Sequence, residues 1–228
     1  MKLQIDPIIF EQYPGTLIGV VTLEGVDNHG EASEIQSLLR GAEQVAIQKI
    51  GTVPIMEHPN IACWREVYRK FGAKPKKYPS SIENLVRRVG SGEQIRHINK
   101  LVDIYNVISL RYLLPVGGED TEKIVGDIRL TIAGDNEPAV TLLGEKEARP
   151  PYSDEVIYTD DLGAICRRWN WKEADRTKLT EDTTNACIVI EAIPPIERVE
   201  LEQALTDLTA LVQQFCGGDH QVAILDSK

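Results

Sequence analysis

The chain has 228 residues, 42% hydrophobic and 26% charged, with a formal net charge of −10 at pH 7. That balance is ordinary for a globular protein, and the length suffices to bury a core without disulfide or metal staples. It contains no run of about 18 apolar residues, which excludes a hydrophobic membrane-spanning helix, and its net charge argues against indiscriminate nucleic-acid binding.

The opening Met-Lys-Leu-Gln-Ile-Asp-Pro breaks too early for a signal peptide, so a cytoplasmic location is expected. Thr16 to Leu23 is β-branched and continuously apolar and predicts a strand. Gly25 to Gly30 reads as a loop. Ser33 with Gln36 has the capping-box pattern, and helical spacing of apolar residues runs from Ile35 to Ile50, stopped by Gly51 and Pro54. A short helix is expected from Ile61 to Phe71. A stiff basic connector, Lys74-Pro75-Lys76-Lys77-Tyr78-Pro79, follows. Ser80 with Glu83 caps a helix that ends at Gly90, and a longer helix is expected from Ile98 to Tyr112.

After Gly117 the pattern turns to strands. They are expected within Ile124–Ile132, over Ala139–Leu143 and over Glu155–Thr159. A tight turn at Asp160-Asp161-Leu162-Gly163 leads into Ala164–Trp169. Lys172 to Asp182 is polar and threonine-rich and reads as a loop. Ala186–Ala192 is a strand, Pro194-Pro195 breaks it, Ile196–Phe215 is a long amphipathic helix, and Gln221–Leu225 is expected as a last strand. Strands and helices intermix without strict alternation. The expected class is therefore α+β, with a mixed, largely antiparallel sheet and flanking helices, in one domain over residues 1–228.

Metal chemistry is weakly supported. Cys63, Cys166, Cys187 and Cys216 form no C-x-x-C pair, and His29, His58, His97 and His220 show no ligand spacing, so neither metal nor cofactor is expected. No phosphate-binding loop, dinucleotide glycine loop or nucleophile elbow is present.

Three segments stand out. In the 98–112 helix, Asn99, Asp103, Asn106 and Ser109 recur three or four apart and share a face beside an apolar stripe, suggesting a pocket wall. The helix leads into Pro115-Val116-Gly117-Gly118, whose glycines either offer free backbone N–H groups or simply make a tight turn. In Arg167-Arg168-Trp169-Asn170-Trp171, read as a strand, two tryptophans flank an amide. They form either an aromatic wall with an anion-binding arginine or a core pair with snorkelling arginines. Glu191 is a lone acid in an apolar strand, with Arg167 or Arg168 as the expected partner, whether as a structural ion pair or as a site carboxylate. Charge is also uneven. From Arg65 to Lys100 ten basic residues face only Glu66, Glu83 and Glu93, a local +7 that leaves −17 for the rest. Either a phosphate-contacting face or solvated helix surfaces would produce this.

Val102–Leu110, Leu114–Asp120, Cys166–Trp171 and Ile188–Glu191 together resemble the B3/B4 domain, the editing module of the phenylalanyl-tRNA synthetase β subunit. They are most similar to its free-standing relatives. The likeness to the free-standing proteins covers about residues 16–215, and that to the synthetase module about 79–191. The resemblance implies a mixed sheet with flanking helices, and hydrolysis of an amino acid wrongly esterified to tRNA. Glu191 matches the glutamate that reads the amino-acid side chain, whereas Gly117 stands where the synthetase loop has a histidine after its proline. The expected activity is therefore a trans-acting aminoacyl-tRNA deacylase. Asn106, Ser109, Gly117 and Gly118 would orient water and ester, Arg167, Trp169, Asn170 and Glu191 would hold the amino acid, and Lys74, Lys76, Lys77, Arg87 and Arg88 would contact tRNA. The alternative is a non-catalytic module that binds an amino acid, nucleotide or tRNA in the same pocket.

Overall fold

The computed structural model describes residues 1–227. Nine strands and six helices are formed among them: β1 (Leu3–Ile5), α1 (Pro7–Gln12), β2 (Leu17–Glu24), α2 (Ser33–Ile50), α3 (Pro59–Lys70), α4 (Ser81–Gly90), α5 (Lys100–Tyr112), β3 (Val116–Asp120), β4 (Ile128–Ile132), β5 (Val156–Asp160), β6 (Gly163–Arg167), β7 (Lys172–Glu173), β8 (Ala186–Ala192), α6 (Arg198–Phe215) and β9 (Asp219–Leu225). The class is α+β, as expected. The strands divide between two sheets, ordered β1-β4-β5-β6-β7 and β3-β8-β2-β9. Every pairing is antiparallel except β1 with β4. None of the helices is long and apolar enough to cross a membrane.

Local chemistry fixes several boundaries. Ser80 Oγ accepts from the Glu83 amide at 3.3 Å and starts α4. Asn99 Oδ1 accepts from the Val102 amide at 3.0 Å and starts α5, and Leu113 ends that helix in the left-handed region at φ 55°. The capping box expected at Ser33 does not form: Ala32 is the N-cap and Ser33 is already helical. Glu197 and Glu200 make a reciprocal box at the start of α6 instead. The strand expected over Ala139–Leu143 is replaced by two isolated bridges, Val140 to Arg149 and Leu142 to Ala174, because successive residues take different partners and no ladder can extend.

The 98–112 helix is not a one-sided wall. Nearly every residue of α5 from Lys100 to Leu110 is buried, and the helix packs against α2 and α6. Its polar residues are tolerated because they bond inside the fold. Asn99 Nδ2 donates to Leu179 O at 3.2 Å, Asp103 pairs with His97 at 2.5 Å and accepts the Ile98 amide at 3.1 Å, and the Ser109 hydroxyl donates to Leu114 O at 2.6 Å. One apolar cluster gathers Trp64, Tyr68 and Trp169 with the first sheet, and a second joins the inner faces of β2 and β8 to α5 and α6.

Candidate functional site

A cavity of about 510 Å³ lies between the two sheets, within the range of small-ligand sites. Strand β8 supplies Cys187, Val189 and Glu191, and β3 supplies Gly117, Gly118 and Glu119. The β6–β7 hairpin supplies Cys166, Trp169, Asn170, Trp171 and Glu173, while Tyr158 of β5 and Tyr105 and Asn106 of α5 complete the inner wall. Exposed Lys77 and partly exposed Lys172 also line it; Lys172 is paired with Glu145 at 3.0 Å, whereas Lys77 forms no ion pair among the described residues.

The hairpin differs from the strand expected there. β6 ends at Arg167, and Arg168 and Trp169 turn the chain with φ of 49° and 62°. Such angles are costly for side-chain-bearing residues. Packing offsets the cost, because the Trp169 ring is wholly buried, edge-on to Tyr13 at 5.1 Å and to Trp64 at 5.3 Å. The turn sets Asn170 into the cavity, where its Oδ1 accepts from Tyr68 Oη at 2.8 Å and its Nδ2 donates to Glu191 Oε2 at 2.5 Å. Tyr158 Oη donates to Glu191 Oε1 at 2.6 Å.

Glu191 thus has neutral partners, not the arginine expected for it. Burial raises its pKa to about 7, against the opposing pull of the hydrogen bonds from Tyr158 and Asn170. Arg167 lies outside the cavity lining: Nε and Nη2 grip Glu155 at 2.9 Å each, in a pair that is almost wholly buried. An arginine beside an available carboxylate forms this bidentate pair in preference to reaching across the sheet. Ser109 also lies outside the lining, its hydroxyl committed to the end of α5.

The Gly117–Gly118 pair is strand, not free loop. Gly117 lies opposite Val189 and Gly118 opposite Ile188. In the alternation that starts from Glu191 N to Pro115 O at 3.0 Å, the Gly117 amide belongs to the ladder with β8. The Gly118 amide instead points away from β8, on the side where it favours the charged form of the Glu173 carboxylate. A Cβ at Gly117 would lie 3.3 Å from Glu173 Oε1, which keeps this wall open.

Two further acids were not singled out by sequence reasoning. Burial raises Glu173 to about 7, with the Gly118 amide opposing. Glu119 is pushed well above the carboxylate range, first by burial and then by the Glu173 charge, and its Oε2 makes no hydrogen bond among the described residues. Both acids are therefore held above the ordinary carboxylate range, chiefly by burial. A signal existed: Gly117 and Glu119 share one face of β3, and Trp171 and Glu173 alternate in the same way. The thiols offer no nucleophile. Burial holds Cys166 well above its ordinary value and Cys187 at about 12. Among the described residues no cluster of three His, Cys, Asp or Glu could hold a metal.

Much of the basic segment is consumed internally. Arg65 and Arg87 both bind the buried Glu83, at 2.6 and 2.5 Å, Arg88 pairs with Glu93 at 3.6 Å, and Lys100 reaches Phe215 O at 3.2 Å. Lys74, Lys76 and Lys77 are exposed on the connector after α3.

Fold and site define an α+β protein with an acid-lined cavity between two sheets, open at a rim that includes Lys77. The chain belongs to the B3/4 domain family, whose match spans residues 63–217. It is 20% identical over 223 residues to the uncharacterized protein YhzB of Bacillus subtilis (strain 168), covering 97% of this chain and 98% of that one. It is 30% identical over 200 residues to the phenylalanine--tRNA ligase beta subunit of Psychrobacter arcticus, covering 79% of this chain but only 24% of the ligase subunit. Among solved structures, it is similar to an N-terminal fragment of the phenylalanyl-tRNA synthetase beta subunit from Pyrococcus horikoshii, with 14% identity, a TM-score of 0.49, and 96% of this chain and 50% of that one covered.

Proposed function

We propose that the chain hydrolyses the ester of a mischarged aminoacyl-tRNA in trans. The observation that carries this reading is the cavity: it has amino-acid dimensions, Glu191 sits within it and lysines stand at its rim, in a chain of the B3/4 domain family. The amino-acid moiety enters between Trp171 and Tyr158, and Glu191 with Asn170 reads its polar groups. Glu173, with a pKa of about 7, accepts a proton from the attacking water, as a base suited to neutral pH does. Asn106 and the protonated Glu119 donate to the developing oxyanion. Collapse breaks the ester C–O bond, and the proton taken by Glu173 passes to the ribose oxygen, releasing amino acid and tRNA.

The test is incubation of the protein with tRNAs mischarged across all the amino acids. Accelerated deacylation of at least one, lost in Glu173→Gln, is the expected result. Absence of acceleration with every one overturns the reading. If free amino acids or aminoacyl-adenylate mimics then raise the melting temperature without turnover, the chain is a binding module.

A further inference from the structure

Strand β9 forms one edge of the second sheet. Asp219 to Ala223 are all exposed, and Ile224 and Leu225 are half-buried. Edge strands in natural proteins are usually guarded by shortness, a lysine, a proline or a bulge. β9 has none of these guards. It is seven residues long, contains neither lysine nor proline, and keeps one unbroken register with β2, from Asp219 opposite Glu24 to Leu225 opposite Ile18.

That register fixes which backbone groups are left over. Glu191 N bonds Pro115 O, so in β8 the odd-numbered residues turn their amides and carbonyls to β3 and the even-numbered ones turn theirs to β2. Ile190 therefore bonds Gly19, and β2 turns Ile18, Val20, Thr22 and Glu24 toward β9. Their partners Leu225, Ala223, Gln221 and Asp219 are thereby satisfied. His220, Val222 and Ile224 point backbone N–H and C=O outward, with no protein partner among the described residues.

These groups suit a second copy of the chain. A two-fold axis through Val222, normal to the sheet, sets Val222 against Val222 of the partner subunit and His220 against the partner's Ile224. Every outward donor and acceptor then bonds in a reciprocal pair. The side chains agree: Val222 is β-branched and 48% exposed, and self-pairing would cover it. Charge agrees too. A net charge of −10 makes two copies repel, yet His220 to Leu225 carries no acid. Asp219 falls opposite the partner's Leu225, and Asp226 is engaged by Arg198, so no acid directly opposes another across the pair.

We propose that β9 pairs antiparallel with β9 of a second copy, in this register, joining two four-stranded sheets into one. The proposal is independent of the hydrolytic reading. In the dimer both cavities lie on one face of the joined sheet, opposite the two α6 helices, which pack on the Gly19 face. The two β8 strands stand five strand spacings apart, about 24 Å.

Sedimentation equilibrium of the full chain should give a mass that rises with concentration from 25.4 kDa toward twice that value. Val222→Pro removes one outward N–H and no bond to β2, a change that an edge strand tolerates, and it should hold the mass at that of the monomer. Circular dichroism checks its fold. Cysteine substitutions read the register without breaking the dimer. In a hydrogen-bonded antiparallel pair the two residues at 222 have Cα atoms about 5.5 Å apart, within disulfide reach, whereas the two at 221 lie beyond about 7 Å. Mild oxidation should therefore link Val222→Cys into a covalent dimer on a non-reducing gel. Gln221→Cys should stay monomeric, as should the wild type, in which Cys63 is the one thiol not buried. A monomer mass at every concentration up to about 1 mM overturns the proposal. So does a dimer that survives Val222→Pro, or equal cross-linking at 221 and 222. If Val222→Pro fails to fold, the cysteine variants decide alone.

Discussion

Replacing Glu191 with glutamine should change the pH dependence of stability in a defined way. In the unfolded chain this side chain ionises near 4.5, whereas in the fold it keeps its proton to about 7 because burial outweighs its hydrogen bonds from Tyr158 and Asn170. Between those values the native state binds the extra proton, so this group's contribution to stability falls as pH rises and levels off above 7. The gap of 2.5 pH units, from 4.5 to about 7, corresponds to about 3 kcal/mol at 1.36 kcal/mol per unit. Glutamine does not titrate, so the stability of Glu191→Gln relative to wild type should climb by up to that amount between pH 4.5 and 7 and then stay flat. The Asn170 amide, now facing a second amide, adds a roughly constant penalty that moves the whole difference curve without changing its slope. Urea denaturation of both proteins at half-unit intervals from pH 4.5 to 8.5 measures the difference directly. A pH-independent difference, or one that falls as pH rises, would refute a buried, proton-retaining Glu191. Glu119 and Glu173 titrate in both proteins, so to first order their contribution cancels.

Glu155→Gln should destabilise the protein by about 3–5 kcal/mol, because it leaves Arg167 buried without its carboxylate partner; chemical denaturation would show it, and a loss below about 1 kcal/mol would mean the pair is solvated. Ser109→Ala should cost about 1–3 kcal/mol by stranding the Leu114 carbonyl, yet leave kcat for any deacylation unchanged, and a drop in kcat at unaltered stability would return Ser109 to the catalytic set. Gly117→Ala should keep the fold, since the backbone is not left-handed there, but its methyl group would press on Glu173 Oε1 at 3.3 Å. Its pH–rate profile should shift on the limb set by Glu173, and an unshifted profile would argue that Glu173 is not the base.

Legibility differed by element. Ala186–Ala192 was readable to the residue because an apolar run centred on β-branched Ile188, Val189 and Ile190 is bounded by Asn185 and the prolines. Ser80 with Glu83 announced α4 through a purely local bond. Helix 98–112 was located correctly but misread in environment, because a buried polar residue that bonds to distant backbone, as Asn99 does to Leu179, carries the same spacing as one facing a ligand. β1 and α1 had gone unread, since the three residues of β1 are held by a parallel partner 125 positions away. In the site, Asn106, Asn170, Trp169 and Glu191 come together in the cavity as expected. Arg167 does not, because nothing in its neighbourhood in sequence reveals that Glu155, just before the adjacent strand β5, will claim it. Gly117 and Gly118 looked like loop because glycine is poor in strands, whereas the space needed by Glu173, Leu179 and Ile188 accounts for their presence in β3.

The turn at Arg168 and Trp169 also restricts how this protein can diversify. Glycine would relax the backbone at either position, the usual remedy at left-handed sites. Here it would delete either the guanidinium packed against Tyr78 and Trp171 or the indole that fills the space between Tyr13 and Trp64. Local and global preferences oppose each other at two adjacent residues, so the segment cannot be improved one substitution at a time. Variation among relatives, and success in redesign, should concentrate in the freely replaceable residues around the turn, while 168 and 169 change together or not at all.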